Sequence, residues 1–126
     1  MVTLFDSPNV YKADCPTRQV LDRIADKWTV LIIGLLENEP KRFSHLQRHI
    51  DGISQKMLSQ TLRSLERDGL VQRTIYAEVP PRVEYQLTPM GRTLIETIAA
   101  IRNWAEQHIS EIAVAQQDYD ARGTKS

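Results

Sequence analysis

Between Ser44 and Leu87 the hydrophobic period of the chain changes from helical to alternating, and this succession most narrows the possible fold. Two short amphipathic segments, SHLQRHI and SQKMLSQTLRSLERDG, flank an Asp51-Gly52 turn signal. So short a connection makes the second helix cross the first instead of extending it. Two strand-like runs follow, Val71 to Tyr76 and Val83 to Leu87. Pro80 and Pro81 between them cannot donate to a ladder, so they belong in the connection or at a sheet edge.

Elements on either side complete the layout. Pro16 suits the first position of a helix whose apolar face is Val20, Leu21 and Ile24. Asp26 is an N-cap for a second helix, in which Trp28, Leu31, Ile32, Leu35 and Leu36 follow helical spacing and Val30 and Ile33 widen the stripe. Pro40 stops it. The third helix is expected to open at Ser44 with Gln47 completing a capping box. The fourth opens at Ser54, buries Leu58, Leu62 and Leu65, and stops at Gly69. Thr88-Pro89 starts one last helix to about Gln116, with an apolar stripe through Leu94, Ile98, Ile101, Ala105 and Ile112. The fold class is therefore mainly α with a small β-hairpin wing, a winged helix-turn-helix. Residues 1–13 read as a flexible N-terminal arm, 14–116 as the folded domain and 117–126 as a disordered tail.

With Leu58, Leu62 and Leu65 inward, Gln55, Lys56, Ser59, Gln60 and Arg63 share the outer side of the fourth helix beyond its cap, Ser54. No acid interrupts them until Glu66. Gln pairs with adenine, Arg and Lys with guanine, and Ser with bases or phosphates. Total charge is zero but segregated: residues 41–82 carry eight basic and four acidic side chains, while the flanking segments are each net −2. A cationic module between acidic arms suits double-stranded DNA better than the total suggests. The proline-stiffened hairpin with Arg82 would then be the wing, its cation suited to a narrow minor groove.

The segments CPTRQVLDRIADKWTVLIIGLL, ISQKMLSQTLRSLERDGLVQR and YAEVPPRVEYQLTPMGRTL resemble the HxlR-type family of bacterial transcriptional regulators, from about Asp14 to Ile109. Val79 to Gly91 is the most family-specific run. The resemblance implies a homodimer paired through terminal helices, a fourth helix in the major groove, and a hairpin whose Arg82 lies along the backbone or minor groove. The sequence supports pairing independently. A helix from Pro89 to Gln116 is near 40 Å long, more than a domain this small covers, and Ile109 and Trp104 add to its apolar surface. A two-fold dimer demands a roughly palindromic operator. A compact dimer favours repression, by blocking polymerase.

Cys15 is the lone cysteine, so no intrachain disulfide forms. It precedes Pro16, where the helix N-terminus favours a thiolate and Asp14 opposes it. The resemblance implies a switch responding to quinones, aldehydes or oxidants, through an adduct, a mixed disulfide or a bridge between subunits. Two rival readings stand beside it. One is a regulator with a non-covalent small-molecule effector in a pocket at the dimer interface, and the other is a winged-helix module that binds protein.

His45 and His49 are four apart but lack a third ligand, so no metal and no other cofactor is expected. No P-loop, dinucleotide glycine motif or nucleophile elbow occurs, so no enzyme is expected. No apolar run is long enough for a membrane span, and the N-terminus lacks a signal-peptide pattern, so the expected location is cytoplasmic.

Overall fold

The computed structural model describes residues 9–123. Six helices and three short strands follow in order: α1 (Pro16–Ile24), α2 (Lys27–Leu35), β1 (Lys41–Arg42), α3 (Phe43–His49), α4 (Gln55–Arg67), β2 (Val71–Tyr76), β3 (Arg82–Leu87), α5 (Pro89–Arg92) and α6 (Ile95–Ala121). Mostly helical, with one small antiparallel sheet, this is the winged helix-turn-helix architecture that the hydrophobic periods predict. No helix among the described residues is long and apolar enough to cross a membrane.

The local signals act where the sequence places them. Asp26 accepts from the backbone N–H of Trp28 and Thr29, Ser54 from Met57, and Thr88 from Gly91. Gly52 and Gly69 take left-handed φ angles of 87° and 78°, which a side chain would strain. At the end of α4, Leu70 N–H donates to the Leu65 carbonyl at 2.9 Å, closing the last turn around Gly69.

One core unites the helices and the sheet. Ile32, Ile33 and Leu36 of the α2 region meet Leu46 and Ile50 near α3, Leu58, Leu62 and Leu65 of α4, and Ile98 of α6. Val71 and Leu87, cross-strand partners in the hairpin, close it from the sheet side. Complete burial of a side chain such as Leu58 contributes about 1.5–3 kcal/mol, which holds α4 against the domain by its inner face alone.

Several expectations are corrected. The sheet has a third strand, since Lys41 and Arg42 pair with Tyr85 and Glu84, so β3 lies in the middle. That pairing holds Arg42 extended and moves the start of α3 to Phe43; Ser44 lies inside the helix and caps nothing. On α2 the buried side is Thr29, Ile32 and Ile33, with Leu31 exposed. A helix apolar nearly all round carries no period that selects its inner side, and contact with α4 and α6 selects it instead. The single last helix is two. Thr93 N–H and Leu94 N–H donate three residues back, to Met90 and Gly91, and this tight turn separates α5 from α6.

The tail expected to be disordered from residue 117 is helical through Ala121, with Gly123 at φ 65° after it. Polar side chains on a solvated helix oppose nothing, and no breaker precedes Gly123. Residues 124–126 and 1–8 lie outside the described residues, and so does most of the expected N-terminal arm. The remainder of that arm forms a turn in which Lys12 N–H donates to the Asn9 carbonyl.

Candidate nucleic-acid interface

The α4 helix offers two faces of opposite chemistry. Leu58, Leu62 and Leu65 are sealed into the core. A rotation of the helix away, Ser54, Gln55, Lys56, Ser59, Gln60 and Arg63 line one open, shallow concavity. Lys56 and Arg63 are exposed and point no charge into any acid of their own face. The six residues singled out on this helix by spacing are thus brought together.

A second concavity shares Ser59 and Arg63 with the first and adds Glu66, Arg73 and Tyr85. It carries the polar surface from the helix onto the sheet. Arg73 and Tyr85 are paired across β2 and β3, and Lys41 of β1 pairs with Tyr85 on its other side. One row across the sheet therefore reads Lys41, Tyr85, Arg73. Arg73 Nε stands 3.6 Å from Glu66, so the first acid of α4 is opposed by a cation. Burial pushes the Tyr85 phenol above its ordinary pKa of 10.0, with Glu66 adding to the rise and Arg73 and Arg63 opposing it. At neutral pH it is a hydrogen-bond donor. Sequence reasoning passed over Arg73 and Tyr85. Alternation from buried Val71 does assign Arg73 to the inner side of β2, but only the hairpin register places Tyr85 beside it.

Arg82 differs from expectation. It is not a free cation at the hairpin tip but the first residue of β3, paired with Tyr76. Its guanidinium lies 4.0 Å over the Tyr76 ring. One Nη is 3.0 Å from Glu78 and the other 3.2 Å from Glu84, and Nε is buried without a partner. Two acids and an aromatic face make it a clamp across the base of the loop, and it lines neither concavity of α4. Pro80 and Pro81 lie in the connection, outside the ladder.

Cys15 is the N-cap residue of α1, only 6% exposed, yet it stands outside the main core cluster. The thiol is held below the ordinary 9.0, first by the backbone N–H of Arg18, then by those of Thr17 and Asn9, with burial opposing. Asp14, expected to raise it, is not among the groups that act on it.

The His45 and His49 rings stack with centroids 4.0 Å apart. Burial, then the positive neighbours His49, Lys41 and Arg48, lower the His45 pKa from 6.5. No group of three or more His, Cys, Asp or Glu residues able to hold a metal occurs among the described residues.

An apolar surface remains uncovered. The α1 helix buries no residue and exposes Val20 and Leu21. On α6, Trp104 is 57% and Ile109 59% exposed, with Ile101, Val114 and Tyr119 also outward. Of the 27 residues of α6 only Ile98 is buried.

Comparison with known proteins places this geometry. Residues 23–113 match the protein-family model of the HxlR-like helix-turn-helix. The chain is 42% identical over 110 residues to the HTH-type transcriptional regulator YtfH of Escherichia coli strain K12, covering 87% of each protein. Its fold is similar to that of a transcriptional regulator ytfH from Salmonella typhimurium, with a TM-score of 0.81, 39% identity, and 88% and 99% of the two chains covered. It is also similar to the redox regulator HypR in its oxidised form, with a TM-score of 0.69, 41% identity, and 74% and 96% covered.

Proposed function

The chain belongs to the HxlR-like helix-turn-helix family and is a transcriptional regulator, and from that premise we propose that it binds a palindromic operator in double-stranded DNA as a homodimeric repressor. The observation that carries this reading is the acid-free polar face of α4, whose six side chains share one concavity above a sealed apolar face. A helix seated by one side and polar on the other is suited to the major groove. Gln55, Gln60 and Arg63 have the side-chain chemistry for base edges, and Ser54, Lys56 and Ser59 for phosphates and bases. Arg73 and Tyr85 extend the contact toward the wing.

Arg82 takes a different part from a free cation. It braces the loop through Glu78 and Glu84, and it meets a phosphate by exchanging one of those acids for it. The uncovered faces of α1 and α6 support pairing with a second copy, because apolar surface of that extent normally meets another surface. Two recognition helices would then face half-sites about 34 Å apart.

The signal we propose is oxidation or electrophilic capture of Cys15. The lowered thiol pKa at a helix N-terminus favours the thiolate, which is the reacting species. An oxidant such as diamide takes two electrons and two protons as Cys15 joins a second thiol in a disulfide. The new bulk at the N-cap tilts α1 against its partner surface. The similarity to a redox regulator supports this part of the reading.

A mobility-shift titration on the upstream region of the protein's own gene tests the proposal. Arg63→Ala should weaken specific binding by about 1–3 kcal/mol, and Lys56→Ala should reduce the salt slope by about 1. Binding that is indifferent to salt and to both substitutions would refute the operator reading. Diamide should release the wild type and spare Cys15→Ser; equal release of both would refute the thiol switch.

A further inference from the structure

Among the described residues, one long-range ion pair joins the α1 helix to the end of α4. Arg23 Nε donates to Asp68 Oδ2 at 2.7 Å, with both side chains about one-third exposed. Asp68 is the C-cap of α4, where the negative end of the helix dipole disfavours a carboxylate. Arg23 compensates for that placement. Beside the pair opens a cavity of about 380 Å³ between α1, the start of β2 and α5. Its walls are Val20, Ile24, Leu70, Met90 and Leu94, so it is apolar apart from the ion pair and Thr93.

We propose that this cavity is a binding site for a small aromatic carboxylate. Its volume is at the small end of ligand pockets, and an apolar body with one convergent charged group is their usual lining. Arg23 spends only Nε on Asp68, and its two Nη nitrogens have no hydrogen-bond or ion-pair partner among the described residues, so the guanidinium fork is open to a carboxylate. Met90 is exposed and lies against Gly69, its Cε 3.1 Å from where a Cβ would stand. An unbranched thioether in that place swings aside readily and re-packs on an aromatic ring. The larger groove between α2 and α6 is a weaker candidate, because Lys27, His49, Asp51 and Arg102 all line it, and an apolar body with one convergent charged group is the more usual ligand lining.

The site has a route to the recognition helix. A ligand carboxylate on the Nη nitrogens shares the guanidinium with Asp68, weakens the compensation of that carboxylate at the negative end of the α4 dipole, and loosens the last turn of that helix. Occupancy therefore weakens operator binding. This consequence rests on the DNA-binding reading above; ligand binding itself does not.

The test is an NMR titration of the full-length protein with naphthalene-2-carboxylate and with its neutral amide. The carboxylate should give saturable shifts at Leu70, Met90 and Leu94 with a Kd at or below about 1 mM. The amide, and the carboxylate on Arg23→Gln, should bind at least about tenfold more weakly. Met90→Trp, at an exposed position with Arg23 intact, should fill the cavity and abolish the shifts. Shifts centred on Leu31 and Ile101, equal affinity for acid and amide, or saturable binding retained in Met90→Trp would each overturn the site. Release of operator DNA by the carboxylate, in the wild type but not in Met90→Trp, is read separately, so a failure of DNA binding cannot be mistaken for a failure of the site.

Discussion

Replacing Gly91 by alanine should cost far more than a methyl group suggests. Gly91 is buried in α5, and a Cβ there would overlap the Leu70 carbonyl oxygen, well inside the 3.0 Å that real Cβ atoms keep. It would also stand 3.1 Å from the Leu70 carbonyl carbon. The obstacle is backbone, so no rotamer relieves it. Either α5 or the start of β2 must move. The corner that would move is hydrogen-bonded three times: Thr88 N–H to Leu70 O at 3.1 Å, Thr88 hydroxyl to Gly69 O at 2.6 Å, and Gly91 N–H to the Thr88 hydroxyl at 3.0 Å. Each such bond contributes about 0.5–1.5 kcal/mol net, so losing two with some strain costs about 2–4 kcal/mol. That is a large part of the 5–15 kcal/mol typical of a domain.

Gly34→Ala makes the comparison sharp. A Cβ at Gly34 meets only the Nη1 of Arg102 at 3.5 Å, an ordinary contact at the end of a flexible side chain. In α2 the alanine should stabilise by about 0.5–1 kcal/mol through the unfolded chain and helix propensity. Urea unfolding followed by circular dichroism measures both variants with the same probe. Opposite signs are expected. A Gly91→Ala variant within about 1 kcal/mol of wild type would refute the argument that the glycine permits the close approach of α5 to Leu70.

Three further predictions concern function. Glu78→Gln removes one of the two acids on Arg82, so affinity for random duplex DNA should rise about two- to fivefold, and unchanged affinity would refute the exchange of Glu78 for phosphate. Ile109→Glu, at a site 59% exposed, should leave the unfolding midpoint nearly unchanged and convert a dimer to a monomer in light scattering; a dimer that persists would place the interface elsewhere. For Cys15, the rate of iodoacetamide alkylation should rise with pH through a midpoint below the ordinary 9.0, and lower than that of the urea-unfolded chain. Because the folded pKa is the depressed one, the stabilisation by thiolate is complete above the unfolded-state value and lost as pH falls through the folded value. A midpoint at or above that of the unfolded chain would refute the helix-terminus account.

Much of this protein is legible in its sequence because the responsible interactions are local. Asp26, Ser54 and Thr88 cap helices with groups two or three residues away, and Gly52 and Gly69 turn the chain by their own φ. The inner side of α4 follows from spacing alone, since a helix with one apolar stripe has one way to face a core, and its polar face follows as the remainder. Other features depend on partners far along the chain. The buried side of α2, apolar nearly all round, was decided by α4 and α6, and the start of α3 by a strand pairing across 42 positions at Arg42 and Glu84. Arg82 looks free in sequence, but the hairpin register lays it over Tyr76 between two glutamates. The Arg23–Asp68 pair with its cavity, and the row of Lys41, Tyr85 and Arg73, likewise exist only once distant segments are packed together. Backbone geometry and capping act within a few residues, whereas charge and apolar surface are satisfied by whatever the fold brings near.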